Sequence, residues 1–82
     1  FTDNEFKAIH RATGKNVANI RKLKNVTQLD ISLSIGYNST SVIAKAEAGT
    51  EGRHFSVEQL YKIAKILNVP IIAFFENIDT NL

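Results

Sequence analysis

The stretch Thr27 to Glu47, TQLDISLSIGYNSTSVIAKAE, decides the fold, because two short helical patterns meet in it at a single glycine. Thr27 offers a hydroxyl to cap a helix start, and Ile31 and Ile35 recur four residues apart on one face. Gly36 stands where that helix needs a left-handed terminating residue, so a helix is predicted over Thr27 to Ile35. Tyr37 to Ser41 then brings small hydrogen-bonding side chains, any of which can cap a second helix running toward Glu47. Helices joined by so tight a turn cannot lie antiparallel over much of their length. They cross steeply, which is the geometry of a helix-turn-helix.

Upstream, Phe6, Ile9, Thr13, Val17, Ile20 and Leu23 recur at three and four and predict an amphipathic helix over residues of about 4 to 24. Asp3 or Asn4 is placed to cap it and Asn25 to end it. Gly14 in its interior costs about 1 kcal/mol relative to alanine, so a break there is the alternative. Within the bend, Leu29 and Leu33 fall on the face opposite Ile31, Ser32 and Ile35. They either pack under the first helix near Phe6 or form a surface that meets a partner. Downstream, GTEGRHF (49–55) has loop composition. Ser56 and Gln59 then form a capping box ahead of Val57, Leu60, Ile63, Ala64 and Leu67, a helix that should end near Asn68. Pro70 suits the first turn of a short last helix, whose Ile71, Ile72, Phe74 and Phe75 exceed what one buried stripe can hold. Ile71, Ile72 and Phe75 are therefore expected at a homodimer interface. The tail from Ile78 to Leu82 carries little signal.

Eighty-two residues make one domain, and a chain this small buries only about two-thirds of the surface its unfolded form exposes. With no cysteine there is no disulfide framework and no thiolate metal site, as suits a cytoplasmic protein. No run of about 18 apolar residues and no charged-then-apolar leader is present, so the chain is expected to be soluble, with no membrane span. It starts at Phe1 and not at methionine, which leaves room for residues upstream. The net charge of +2 is unevenly spread: seven Lys/Arg against three acids in residues 1–45, three against five in residues 46–82. The basic half contains the bend, which fits a nucleic-acid face as well as an ordinary solvated surface.

The positions Val17, Ile20, Arg21, Thr27-Gln28, Ile31, Ile35-Gly36, Ile43, Ala46-Glu47, Gly49, Leu60, Ile63-Ala64, Leu67, Val69 and Phe74 together resemble the lambda-repressor-like (Cro/CI, XRE-type) DNA-binding domain. The resemblance covers residues 14 to 76 and leaves 1 to 13 as a helical extension or a separate arm. Three departures stand out: Ser32 replaces the usual alanine, the turn after Gly36 is one residue longer, and Leu29 and Leu33 replace residues that are usually charged. The resemblance implies an all-α fold of five short helices and binding of double-stranded DNA as a transcriptional regulator, most often a repressor. An antitoxin or restriction-control role, or an interaction module that has lost DNA, are the alternatives. It further implies that Thr40, Ser41 and Lys45 read bases in the major groove, with Asn38 and Ser39 next, and that Gln28 meets phosphate at a helix N-terminus. Arg21 and Glu47 are implied as an ion pair joining the first helix to the end of the recognition helix. Arg53 and His54, in the loop beyond, are placed to reach backbone phosphate.

Catalysis has no visible parts. His10 and His54 lie far apart in the sequence, without cysteines or paired carboxylates at ligand spacing, and G-T-E-G lacks the strand and lysine of a phosphate-cradling loop. No cofactor, no metal and no enzymatic activity are expected.

Overall fold

The structure, a computed structural model, describes residues 1–78. Four α-helices follow one another: α1 (Asp3–Leu23), α2 (Gln28–Ile35), α3 (Ser41–Ala48) and α4 (Val57–Leu67). A 3₁₀ turn (Thr50–Gly52) follows α3 and a 3₁₀ helix (Ile71–Phe75) follows α4, with no strand among the described residues. The predicted all-α fold is thus found, with the fifth helix present as 3₁₀. Its five residues close on a three-residue bond, from the Ala73 N–H to the Pro70 carbonyl, a pattern favoured in pieces this short.

α1 holds 21 residues, about 32 Å of helix, against a longest molecular dimension of 35 Å. The extension before the family-like core is therefore helix and no separate arm. Its cap is Thr2, where Asp3 or Asn4 was expected: the Thr2 hydroxyl accepts the Glu5 N–H, and the Glu5 carboxylate accepts the Thr2 N–H. Only Thr2 has an acidic partner three residues on, and Asp3 is left inside the first turn, where its charge suits the helix dipole. There is no break at Gly14. The predicted apolar stripe is buried only in its middle, at Thr13 and Val17, while Phe6 is 48% and Leu23 82% exposed.

α2 starts on the Thr27 cap, whose hydroxyl accepts the Asp30 N–H while the Asp30 carboxylate accepts the Thr27 N–H. The Thr27 N–H first, and the Thr27 side chain second, hold the Asp30 carboxyl below its ordinary value. Ile31 and Ser32 are fully buried, and the Ser32 hydroxyl donates 2.8 Å to the Gln28 carbonyl, so a polar group in the core costs no unpaired donor. Leu29 and Leu33 remain 47% and 58% exposed. Of the two readings of this face, cover by α1 does not hold, because α1 packs on α3 and on the last 3₁₀ helix, while α2 packs on α3 and α4.

The core gathers Val17 of α1, Ile31 of α2, Ile43 and Ala46 of α3, Phe55 of the loop, Leu60, Ile63, Ala64 and Leu67 of α4, and Phe74. α4 carries the Ser56 and Gln59 capping box and ends on Asn68 in the left-handed conformation. Phe74, with no exposed surface, wedges its 3₁₀ helix against α1 and α4. The Asn16 side chain of α1 fixes the wedge by donating to the Phe74 and Glu76 carbonyls at 2.9 and 3.0 Å. Beside it Ile72 is 67% and Phe75 41% exposed, and Ile71 is half-buried. Of the low-signal tail, Ile78 is buried; residues 79–82 lie outside the described residues.

Candidate nucleic-acid interface

The bend is made by φ of +109° at Gly36, a conformation that other residues rarely adopt. The Tyr37 N–H then reaches the Ser32 carbonyl at 2.8 Å, closing the helix end as a Schellman motif. Five residues, 36–40, separate α2 from α3. The turn is moored to α4, since the Gln59 amide donates to the Tyr37 hydroxyl at 2.9 Å while Gln59 also completes the Ser56 cap. The start of α3 is capped differently from α2 and α4. Thr40 holds the cap position in helical φ/ψ and its hydroxyl makes no cap bond; instead the Ser39 hydroxyl accepts the Ser41 N–H at 3.3 Å.

Ile43 and Ala46 face the core, so Ser41, Val42 and Lys45, offset from them on the helix, are turned toward the surface. Two hollows flank them. One, at the start of α2, is lined by Arg21, Lys22, Asn25 and Thr27 to Leu29 together with Thr40. The other is lined by Ser41, Val42, Lys45 and Ala46 with Arg53, His54 and Gln59. The sequence candidates are thus divided: Gln28 and Thr40 share the first hollow, and Ser41, Lys45 and Arg53 the second. Asn38 and Ser39 lie exposed in the turn between. Lys45 leans toward Glu51, Nζ to Oε2 3.9 Å, but the side chains are 40% and 64% exposed and such a pair contributes little. Val42, 40% exposed in the middle of this polar surface, was not among the candidates. Its signal was available, since it stands one residue before the inward Ile43 and three before Lys45.

Beneath this surface one carboxylate ties three helices. Glu47 of α3 accepts Nε of Arg21 at 2.8 Å and Nη2 at 3.0 Å, a bidentate pair whose side chains are 9% and 6% exposed. Gln28 of α2 donates 2.8 Å to the same carboxylate, and Arg21 spends Nη1 on the Val26 carbonyl at 3.0 Å. An amide nitrogen carries two hydrogens, so Gln28 keeps one N–H for a further acceptor.

Residues 17–74 match the model of a helix-turn-helix family, the Cro/CI, XRE type. The chain belongs to that family. No curated protein and no solved structure matches the chain. The Cro/CI-type helix-turn-helix family is one of DNA-binding regulators and is normally non-enzymatic. No helix among the described residues is long and apolar enough to cross a membrane.

The first fourteen residues of α1, Asp3 to Asn16, precede the span matched by the Cro/CI-type family, and they change the surroundings of the loop after α3. His10 and His54, distant in the sequence, are stacked with ring centroids 3.8 Å apart and planes 15° from parallel. The long α1 brings His10 over the loop, which no pattern local to either residue could announce. Partial burial first, and the His54 ring second, lower the pKa of His10 from its ordinary 6.5.

Proposed function

We propose that the chain is a sequence-specific double-stranded-DNA-binding regulator, most simply a repressor that acts by occupying its site, working in the cytoplasm as a two-fold dimer. The observation that carries the reading is the outward turn of α3, with Ser41, Val42 and Lys45 on a surface bounded by the Gln28 and Arg53 hollows. Thr40, Ser41 and Lys45 read base edges, Val42 offers a methyl contact to thymine, and Asn38 and Ser39 border them. The free N–H of Gln28, at a helix N-terminus, and the Arg53 guanidinium meet phosphate on either side. The Arg21 and Glu47 pair fixes α3 between them. The lack of cysteine suits a reducing compartment.

Base readers and phosphate contacts fail differently, and that difference is the test. Alanine at Thr40, Ser41 or Lys45 is expected to cost about 1 to 3 kcal/mol on the preferred site and much less on random DNA. Gln28→Ala should weaken both by similar factors. Arg53→Ala should also lower the slope of log K against log salt by roughly one. Affinities of each variant on a selected site and on random duplex decide it: equal losses on both for the α3 variants would show that this surface does not read sequence.

The dimer reading rests on Ile72 and Phe75, exposed beside half-buried Ile71 on the last 3₁₀ helix. Ile72→Glu is expected to yield a monomer in sedimentation velocity under conditions where the wild type is a dimer. The same geometry calls for a nearly palindromic site with half-sites roughly 10 base pairs apart. A wild type that stays monomeric at high micromolar concentration, with and without DNA, would remove the dimer.

A further inference from the structure

On α1, Lys7, His10, Arg11 and Gly14 follow one another at three, four and seven residues, so they form one stripe. That stripe faces the loop after α3. Gly14 meets the end of α3, and the Arg11 stem lies on Gly49, close enough that a Cβ there would stand 2.7 Å from Cγ. Between helix and loop is a cleft of about 250 Å³ lined by Lys7, His10, Arg11, Gly49, Gly52 and Arg53. Three of these side chains carry a permanent positive charge, and none of the six is acidic. Glu51, the acid in the same loop, stands 3.9 Å from Lys45 Nζ and is not among the lining residues. The two glycines leave the loop wall without side chains.

We propose that this cleft is a phosphate site, in which Lys7, Arg11 and Arg53 supply fixed charge and the stacked His10 and His54 pair takes up a proton from solvent when the anion binds. The physical argument has two parts. Three cations converging on one cavity repel one another until an anion sits among them, and phosphate, with several acceptor oxygens, can meet all three. Partial burial and the stacked His54 ring favour neutral His10, and an anion beside it opposes that preference. Lys7 and Arg11 from its own helix and Arg53 from the loop line the same cleft as His10, and His54 stacks on its ring. Lys7, His10 and Arg11 all precede the family-matched span, so the site is a property of this chain's extension. A duplex backbone and a free phosphorylated small molecule present the same chemistry to it.

The test uses the full chain. Inorganic phosphate is titrated at fixed ionic strength, with chloride as the control, while the imidazole signals of His10 and His54 are followed by NMR. Saturable movement with phosphate alone is expected, about tenfold weaker in Lys7→Gln/Arg11→Gln and weakened in the same direction by Lys7→Gln, an exposed change that does not disturb the Arg11 stem. Sulfate, whose charge is constant between pH 6 and pH 8, should bind more tightly at pH 6. Salt dependence on random duplex then separates the sources. A slope lowered by about one in the double variant assigns the cleft to the DNA backbone, and an unchanged slope assigns it to a free phosphorylated molecule. If the imidazole signals move no more with phosphate than with chloride, the proposal is overturned, even where the DNA slope changes, since that change would then be general charge steering. If the chain fails to bind DNA at all, the DNA reading falls and the phosphate titration still decides the cleft.

Discussion

Arg21→Ala is expected to lower stability by about 3 to 5 kcal/mol, and Glu47→Ala by a similar amount, because either change leaves a buried charge without its partner. The arrangement makes the loss asymmetric in detail. Without Arg21, the Glu47 carboxylate keeps only the Gln28 amide, and the Val26 carbonyl loses a donor. Without Glu47, the guanidinium keeps only that carbonyl. A domain of this size has a total stability of about 4 to 12 kcal/mol, so a single variant should melt some 15 °C or more below the wild type, or fail to fold. Arg21→Met/Glu47→Leu should cost far less, because the desolvation of two charges disappears along with their attraction. Thermal melts of the three variants check this, and single variants within a degree or two of wild type would mean that the pair is not buried in solution. The double variant has a second use. If the pair serves to orient α3 more than to stabilise the chain, that variant should melt near the wild type yet lose affinity for the preferred site.

What was legible in the sequence was what local chemistry dictates. Thr27, Ser56 with Gln59, Gly36 and Asn68 are placed by rules that reach three or four residues, and the helices begin and end on them. The inward face of α4 followed from periodicity in the same way. The first helix was harder at both ends. Thr2 with Glu5 obeys the capping-box rule, but Asp3 and Asn4 are equally good cap residues in isolation, and only the reciprocal bond decides among them. The fifth helix has a helical composition and too few residues to close four-residue rungs, so it settles as 3₁₀.

At the candidate site the missing information is tertiary. Gln28 was assigned to phosphate by the family resemblance, and its hydrogen bond to Glu47, nineteen residues away, depends on how α2 meets α3. The stacking of His10 on His54 depends on where a helix 21 residues long points. Leu29 and Leu33 left two readings open for the same reason: their spacing marks a face, and nothing in the spacing says that α1 lies elsewhere. Periodicity gives the face of an element and leaves its neighbour unspecified.

Gly14 turns that distinction into a second large effect. By helix propensity alone Gly14→Ala should stabilise α1 by about 1 kcal/mol. The structure reverses the sign. A Cβ at residue 14 would stand 2.6 Å from the carbonyl oxygens of both Ala46 and Glu47, and those are backbone atoms at the end of α3 that cannot swing aside as a side chain could. α1 and α3 would have to separate, and with them the Arg21 and Glu47 pair and the packing of Val17 against Ile43 and Ala46 in the shared core. Overpacking of this kind costs about 1 to 3 kcal/mol and occasionally more, so Gly14→Ala should be destabilising by about that amount and Gly14→Val by more still. Because α3 is the element displaced, both variants should also lose more affinity on a preferred DNA site than on random duplex, while Asn19→Gly on the exposed face of α1 should leave that ratio alone. A melt of Gly14→Ala at or above the wild-type midpoint would show that α1 and α3 do not approach at this point, and the placement of α3 against α1 would have to be redrawn.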